Sequence, residues 1–594
     1  MSAISVKYLG DQQAAEISTN SPTTAWLEVR RAFEERTGEL VNVSPAIFTV
    51  PWWVFLSCRK AFKYLIEKHD LSLNLQPQVT ELLKKALENE KTYEVSVRGV
   101  ISEEVDMEQK LIDVGFTRKL TPEQKRNIKK LLSLTSSADF SVPGSGKTTE
   151  ALAFFFLKKN KDSRLLVVAP KNAFAAWEEQ IALCAPDSDL KIVRLRGGAE
   201  NIRTILETKP KCMVVTYHQL INIKNEIASF MSAFPTIMIL DESHRIKRGY
   251  EGEIGSSVLS LSHIPIAKMI LSGTPLPNSV SDLVPQFSFL FPEISVDENN
   301  VAELIKPIYV RTTKNQLNLP PIQRKIIEIE MNPNQRKFYQ LLRHEEARQL
   351  EKSLSTLGRI GLRHIGRSVL RVLQLVSNPS LLAKSDLSEL DLLKEVLDEG
   401  DSPKIQFVCN RARQLAKDGK KVVIWSSFVE NVELISRRLA DLGADYIHGK
   451  VEAGSDEEED TREAKIKRFH DDPKSFVLVA NPAACAEGIS LHMVCHHAIY
   501  LDRTYNAAQY LQSEDRIHRI GLKPDQLTNI EIVQCPDSID DSVNHRLIKK
   551  ITVMAKVLSD PSLEVEPVNE DLDDDGMDPD DIQDYLKHLK GESK

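Results

Sequence analysis

Two blocks of the chain alternate short apolar runs with helical patterns. In the first, Leu165–Ala169, Met213–Thr216, Ile237–Leu240 and Met269–Leu271 are apolar at almost every position, the signature of strands buried on both faces of a parallel sheet. Ala173–Leu183 and Asn201–Glu207 lie between them with helical spacing. The second block begins near Lys421 and holds Val422–Ser426, Phe476–Ala480 and Ala498–Asp502. Strand and helix alternating in this way predict an α/β fold of two doubly wound parallel-sheet lobes, with ligands beyond the carboxyl ends of the strands. Residues 1–115 read as a mostly helical accessory domain, periodic over Ala25–Arg36, Trp52–Lys68 and Gln78–Glu88, with one strand at Ile4–Leu9. Within it, the cluster Trp52-Trp53-Val54-Phe55 reads as core packing rather than a base-stacking platform. The remaining divisions are a first lobe over 116–320, a helical linker over 321–400, a second lobe over 401–545, a helix over 546–559 and a disordered acidic tail over 560–594 that ends in a short helix.

Composition adds a few bounds. The 594 residues are 42% hydrophobic and 27% charged, ordinary for a globular chain of several domains. No apolar run reaches the ~18 residues of a membrane span, and the start MSAISVKYLGDQQ has no signal-peptide core; the expectation is a cytoplasmic protein with no membrane partner. The seven cysteines contain no Cys-x-x-Cys pair, so structural zinc is not expected. His492, Cys495, His496 and His497 lie close together without a second ligand set, and read as structural. Net charge is −8, but Asp560–Lys594 alone contributes −10, leaving a body of +2. An acidic tail on a near-neutral body does not exclude nucleic acid, because binding depends on local stripes.

The chemistry gathers at strand ends. Ser141-Val-Pro-Gly-Ser-Gly-Lys-Thr-Thr149 reads as a phosphate loop: Gly144, Ser145 and Gly146 bring backbone N–H groups around phosphates, Lys147 reaches the β/γ oxygens, Thr148 holds Mg²⁺ and Thr149 is expected at the nucleotide beside it. Glu150–Leu157 continues as a helix whose N-terminus faces the phosphates. Thr121 and Gln124 form a capping box some twenty residues earlier, and Gln124 also suits the adenine edge. Asp241-Glu242-Ser243-His244 follows an apolar strand directly; Asp241 there can position Mg²⁺ through water and Glu242 can activate the attacking water. Ser272-Gly-Thr-Pro275 follows the next strand. In Gln509–Gly521, read as one helix, Gln512, Arg516 and Arg519 share a face. Two arginines so placed suit a γ-phosphate clamp; a solvated basic helix fits the same pattern.

These pieces in this order resemble the superfamily-two helicase-like ATPases, and specifically the Swi/Snf-type DNA translocases. Ala169-Pro170 with Trp177-Glu178 is similar to that family's Pro…Asn-Trp segment, and Val215-Thr-Tyr217 to its next block. Asp241-Glu-Ser-His-Arg-Ile-Lys247 and Leu271-Ser-Gly-Thr-Pro-Leu-Pro-Asn278 are close to two further motifs. Arg311-Thr-Thr-Lys314 with Leu319-Pro-Pro321 resembles the linker between lobes, and Asn378-Pro379 the block before the second. The sequence departs from the pattern at Ser141, at Cys485-Ala486, at Ser490 and at Leu522.

The resemblance spans about residues 118–550. It implies two RecA-like lobes that bind ATP and Mg²⁺ between them, with Lys147, Asp241, Glu242, Arg516 and Arg519 catalytic. Gln124, Gln512 and Gly488 would bind nucleotide, and Trp177, His244, Ser272, Thr274 and Arg311 would lie in coupling or nucleic-acid segments. Duplex DNA is the implied partner, in a prokaryotic or phage setting of genome maintenance or anti-phage defence and, in a prokaryote, nucleoid-associated. A strand-separating DNA or RNA helicase and an ATP-switched nucleic-acid-binding subunit remain alternatives.

Four further stretches complete the reading. Arg336–Arg371 is a basic helical stripe suited to phosphates or to solvent, and Glu452–Glu463 is a solvated acidic loop. Asp571-x-Asp573-x-Asp575-Gly576 mimics a calcium loop, but Ile582 occupies the twelfth position where glutamate is needed. The terminal amphipathic helix, with Ile582, Tyr585, Leu586 and Leu589, is suited to docking a protein partner or covering the DNA groove, as is the N-terminal domain to partner docking.

Overall fold

The computed structural model describes residues 3–37, 40–98, 107–188, 190–353, 359–383, 390–451, 461–485, 490–560, 563 and 579–591. The chain forms two compact units, Met1–Thr312 and Thr313–Lys594.

The first unit is built on a seven-stranded sheet in the order Tyr309–Val310, Ser136–Asp139, Ala267–Leu271, Thr236–Asp241, Arg164–Val168, Cys212–Val215 and Ile192–Arg194. Every pairing is parallel. The apolar runs seen in the sequence are its central strands, and they are buried on both faces because helices cover both sides. The helix Lys147–Lys158 lies inside this layer, with Phe154, Phe155 and Phe156 at most 1% exposed.

Residues 1–98 contain more sheet than the periodicity predicts. Val41–Ser44, Ile47–Pro51, Ala14–Thr19, Ala3–Leu9 and Ser72–Leu75 form a five-stranded sheet, antiparallel except for its last pair. The sequence reading found one of these strands; four are short, and two of them are joined by tight turns to long amphipathic helices that dominate the pattern. Trp52 and Trp53 are buried, Trp52 against Tyr8 and Phe55. This region is part of the first unit rather than a separate body. Tyr8 Oη bonds His263 Nε2 at 2.8 Å, Lys85 Nζ donates to the Ile264 carbonyl at 2.8 Å and Tyr93 Oη to the Leu304 carbonyl at 2.8 Å. Leu111 packs in the same core as Phe116 and Phe154, so the division expected at 115/116 runs through a continuous core.

The second unit holds a six-stranded, all-parallel sheet in the order Ile322–Glu328, Thr528–Gln534, His497–Tyr500, Val422–Trp425, Val477–Ala480 and Asp445–Ile447. Its edge strand Ile322–Glu328 comes from the stretch read as helical linker, which corrects that boundary: Ile322 and Arg324 alternate with exposed Gln323 and Lys325, as in a half-exposed edge strand. The helices Pro333–Ser353 and Arg359–Ser377 follow, and Ile539–Val557 starts earlier than the expected 546. The terminal helix Pro579–Lys590 is not a free tail. Tyr585 and Leu589 are buried, and Asp581 pairs with Arg546 at 2.6 Å and Lys550 at 2.7 Å. Of the acidic loop expected over Glu452–Glu463, residues 452–460 lie outside the described residues, as does the calcium-loop mimic up to 578, while Arg462 and Glu463 open the helix Arg462–Asp471. Among those residues no helix is long and apolar enough to cross a membrane.

Candidate nucleotide site

The phosphate loop leaves the strand Ser136–Asp139 and turns into the helix Lys147–Lys158. Gly144 and Gly146 have φ of 84° and 91°, left-handed backbone that glycine adopts without a steric penalty. Gly146 is the N-cap and no side chain caps the helix, so its first N–H groups face the concave side of the loop, as an anion site requires. Ser145 Oγ is buried without a partner. Lys147 Nζ donates to the carbonyls of Ser141 at 2.9 Å and Val142 at 3.3 Å, which fixes its head over the loop. Thr148 is half-buried beside it. Donors, lysine and hydroxyl together fit a nucleotide triphosphate.

Two neighbours expected at the nucleotide take other partners. The Thr149 hydroxyl donates to Gln180 Oε1 at 3.0 Å and points into the lobe. Gln124 closes its capping box through Thr121 N and donates Nε2 to the Ser145 carbonyl at 3.2 Å. A Cβ on Gly146 would collide with that amide. Gln124 thus braces the loop from outside, with its amide already bonded at both ends.

Asp241 ends the strand adjacent to that of the Ser272 loop. Its Oδ1 accepts Glu242 N at 3.0 Å, its Oδ2 accepts Trp177 Nε1 at 2.9 Å, and its carbonyl accepts Tyr217 Oη at 2.7 Å. Glu242 is in the left-handed region, φ 53°, which turns its side chain back toward His244 Nδ1 at 3.3 Å. Burial pushes the Glu242 carboxyl up, but His244, with Lys147 and Arg245 beyond it, outweighs burial and holds it at about 2. It is therefore an ionised carboxylate. His244 Nδ1 also meets Ser272 Oγ at 3.1 Å, and Ser272 Oγ accepts Thr274 N at 3.2 Å. Gly273 lies so close to the loop that a Cβ would be 2.8 Å from Pro143. Loop, acidic turn and Ser-Gly-Thr-Pro turn form one contiguous surface at the carboxyl edge of the sheet.

Several contributors escaped the sequence reading. Gln286 accepts Ser243 Oγ at 2.7 Å and donates to the Asp282 carbonyl at 2.9 Å, locking the acidic turn to its neighbour. Asp139 and Glu150 lie under the loop, fully buried, and each keeps one carboxyl oxygen without a partner. Burial raises both carboxyls, and the neighbouring Asp139 raises Glu150 further, well above the ordinary range. Burial and the second carboxyl together therefore favour the protonated form of Glu150 in the fold. Glu150 stands out as the one charge in the otherwise apolar stretch Glu150–Leu157; Asp139 offers no signal.

Arg311, expected in a nucleic-acid segment, donates Nη1 to the Phe140 carbonyl instead. Gln512, Arg516 and Arg519 belong to the second unit. Their single helix is corrected: it spans Ala507–Glu514 and ends there, because Arg516 Nε folds back onto the Gln512 carbonyl at 2.9 Å and Leu491 N bonds the Arg516 carbonyl at 2.8 Å. Arg516 is 7% exposed and Arg519 half-buried on the turn beyond. Gly488 lies outside the described residues. His492 bonds Ser490 Oγ, His496 meets Gln526, and Cys495 Sγ points at backbone carbonyls. In the basic stripe, Arg336 is tied to Glu330 and Arg371 to Glu346, while Lys337, Arg348 and Arg367 are exposed.

Residues 141–374 match the SNF2-related domain and residues 403–521 the helicase conserved C-terminal domain. The chain is similar to the Probable ATP-dependent DNA helicase CHR23 of Arabidopsis thaliana, 23% identical over 80% of this chain and 46% of that one. It is also similar to Chromodomain-helicase-DNA-binding protein 7 of Gallus gallus, 25% identical over 64% of this chain and 14% of that one. It thus spans less than half the length of these curated relatives. Among solved structures it is similar to the Sulfolobus solfataricus SWI2/SNF2 ATPase core in complex with dsDNA, 19% identical, covering 76% of this chain and 94% of that one with a TM-score of 0.33. The two domain matches follow in order along the chain and enclose Lys147, Asp241, Glu242, Arg516 and Arg519: the chain belongs to the Swi/Snf-type, SNF2-related family of helicase-like ATPases.

Proposed function

We propose that the protein is a nucleic-acid-stimulated ATPase that moves along double-stranded DNA, remodelling it or displacing bound protein. The observation that carries the proposal is the contiguous edge formed by Lys147 over the phosphate loop and the ionised Glu242 beside a fixed Asp241. Lys147 holds the β/γ oxygens of ATP and Glu242 takes the proton of the attacking water. Mg²⁺, held by Thr148 and Asp241, would supply neutralisation of the phosphate charge. Arg516 and Arg519 stabilise charge on the transferring group. DNA contacts are made mainly to the backbone, so binding is salt-sensitive and weakly sequence-specific. A role in DNA repair or anti-phage defence in a prokaryotic cytoplasm belongs to the same proposal.

The test is ATP hydrolysis with duplex DNA, single-stranded DNA and RNA, with Lys147→Ala as control. Duplex stimulation without unwinding of a forked substrate supports the translocase; stimulation by RNA alone overturns it.

A further inference from the structure

The segment joining the two units is bonded to the phosphate loop at one end and to the arginine turn at the other. On the first unit, Val142 N donates to the Thr312 carbonyl at 3.1 Å and Phe140 N to the Val310 carbonyl at 2.9 Å. Thr312 N donates to Ser141 Oγ at 2.9 Å. Asn127, 1% exposed on the Gln124 helix, donates to Thr312 Oγ1 at 2.9 Å and to Glu150 Oε1 at 3.3 Å. The outgoing chain thus lies along the first half of the loop, cross-linked to the helix on either side of it.

On the second unit the pattern recurs. Arg324 grips Glu514 with two bonds of 2.7 Å. Lys314 pairs with Asp515 at 2.6 Å, and His518 Nε2 meets the Pro320 carbonyl at 2.8 Å. Glu514 is fully buried; burial pushes its carboxyl up, and the Arg324 charge more than reverses this. Glu514 and Asp515 directly precede Arg516. Bidentate, buried pairs fix orientation as well as distance, so residues 314–324 set where the arginine turn points.

We propose that the connector between Thr312 and Arg324 is a two-ended link that passes the nucleotide state of the phosphate loop to the Arg516–Arg519 turn, with Thr312, Asn127, Lys314 and Arg324 as positioning residues. Side chains at one end are neutral and at the other charged, but both hold the same short stretch of chain. Lys147 now bonds the carbonyls of Ser141 and Val142. When it turns to a phosphate, those carbonyls and the Thr312 bonds beside them are the first groups free to shift.

The test reads backbone hydrogen exchange of residues 313–324 with and without a non-hydrolysable ATP analogue, in the wild type, in Thr312→Val and in the neutral pair Arg324→Gln/Glu514→Gln. The expected result is slowed exchange in the wild type and loss of that response in Thr312→Val, with analogue affinity kept within about twofold and Thr312→Ser restoring the response. An unresponsive wild-type connector, or an undiminished response in Thr312→Val, overturns the proposal. Duplex-stimulated turnover is the second readout, on the reading of the protein as a duplex-stimulated ATPase. Both variants should lose about tenfold in kcat with KM for ATP unchanged, and combining them should cost no more than either alone; multiplying losses overturn a single link. A wild type that duplex does not stimulate refutes the proposed function, and the exchange experiment still decides the link.

Discussion

The indole N–H of Trp177 donates to Oδ2 of Asp241 at 2.9 Å, while Oδ1 accepts the backbone N–H of Glu242. A carboxylate held on both oxygens cannot rotate, so its remaining lone pairs point in one direction. Trp177→Phe keeps much of the buried volume but removes this bond, worth about 1.5–3 kcal/mol to a charged acceptor. The Mg²⁺ concentration for half-maximal ATP hydrolysis should rise by about tenfold, alongside a lowered melting temperature. An unaltered Mg²⁺ titration would show that Trp177 only fills space.

Arg516 and Arg519 should separate by phenotype. Arg516 Nε caps the Gln512 carbonyl in a buried setting, whereas Arg519 is half-buried on the turn. Arg519→Ala should reduce kcat by about 10³-fold, the scale of an arginine at a transferring phosphoryl group, and leave thermal stability intact. Arg516→Ala should lower kcat and also cost about 1 kcal/mol of stability through the lost cap. Paired kinetics and melting curves for the two variants check this.

Glu150 gives a pH signature. Its folded value lies above the ordinary 4.5, through burial and then Asp139, so the fold favours the protonated form. That contribution to stability is complete below pH 4.5 and is lost as pH rises through the folded value. Glu150→Gln keeps the shape and removes the titration. Its melting temperature should match the wild type near pH 4 and exceed it increasingly toward alkaline pH; parallel curves across the range would refute the raised Glu150 carboxyl.

The terminal helix Pro579–Lys590 should behave as structure. Asp581 is fully buried between Arg546 and Lys550, Tyr585 Oη meets Ser368 Oγ at 2.7 Å, and His588 Nε2 meets Tyr339 Oη at 2.6 Å. Asp581→Ala leaves two buried cations and should destabilise the second unit by about 3–5 kcal/mol. Burial holds His588 at about 4, below 6.5. The fold therefore favours its neutral form, and this stabilisation, full above pH 6.5, is lost as pH falls toward 4. A truncation before Asp560 that melts like the full chain would return the helix to the role of a loose tail.

The sequence alone determined the apolar central strands of the two parallel sheets, because strands buried on both faces are mostly apolar along their length; edge strands such as Ile322–Glu328 and the polar strand Ser136–Asp139 carry no such pattern. It also placed the acidic turn and the Ser-Gly-Thr-Pro turn at strand ends and picked out the phosphate loop, because such chemistry depends on a few residue types at fixed spacing. Tertiary structure decided what each side chain faces. Thr149 and Arg311 suited the nucleotide and the nucleic acid by type, yet one bonds Gln180 and the other the Phe140 carbonyl. Arg516 and Arg519 fit one helix by spacing, but the Gln512 carbonyl ends that helix before either is reached. Asp139, Asn127 and Arg324 acquire their roles from partners distant in sequence, and local periodicity carries no record of them. Periodicity reports which face of an element avoids water; only packing fixes which polar groups must pair once water is excluded.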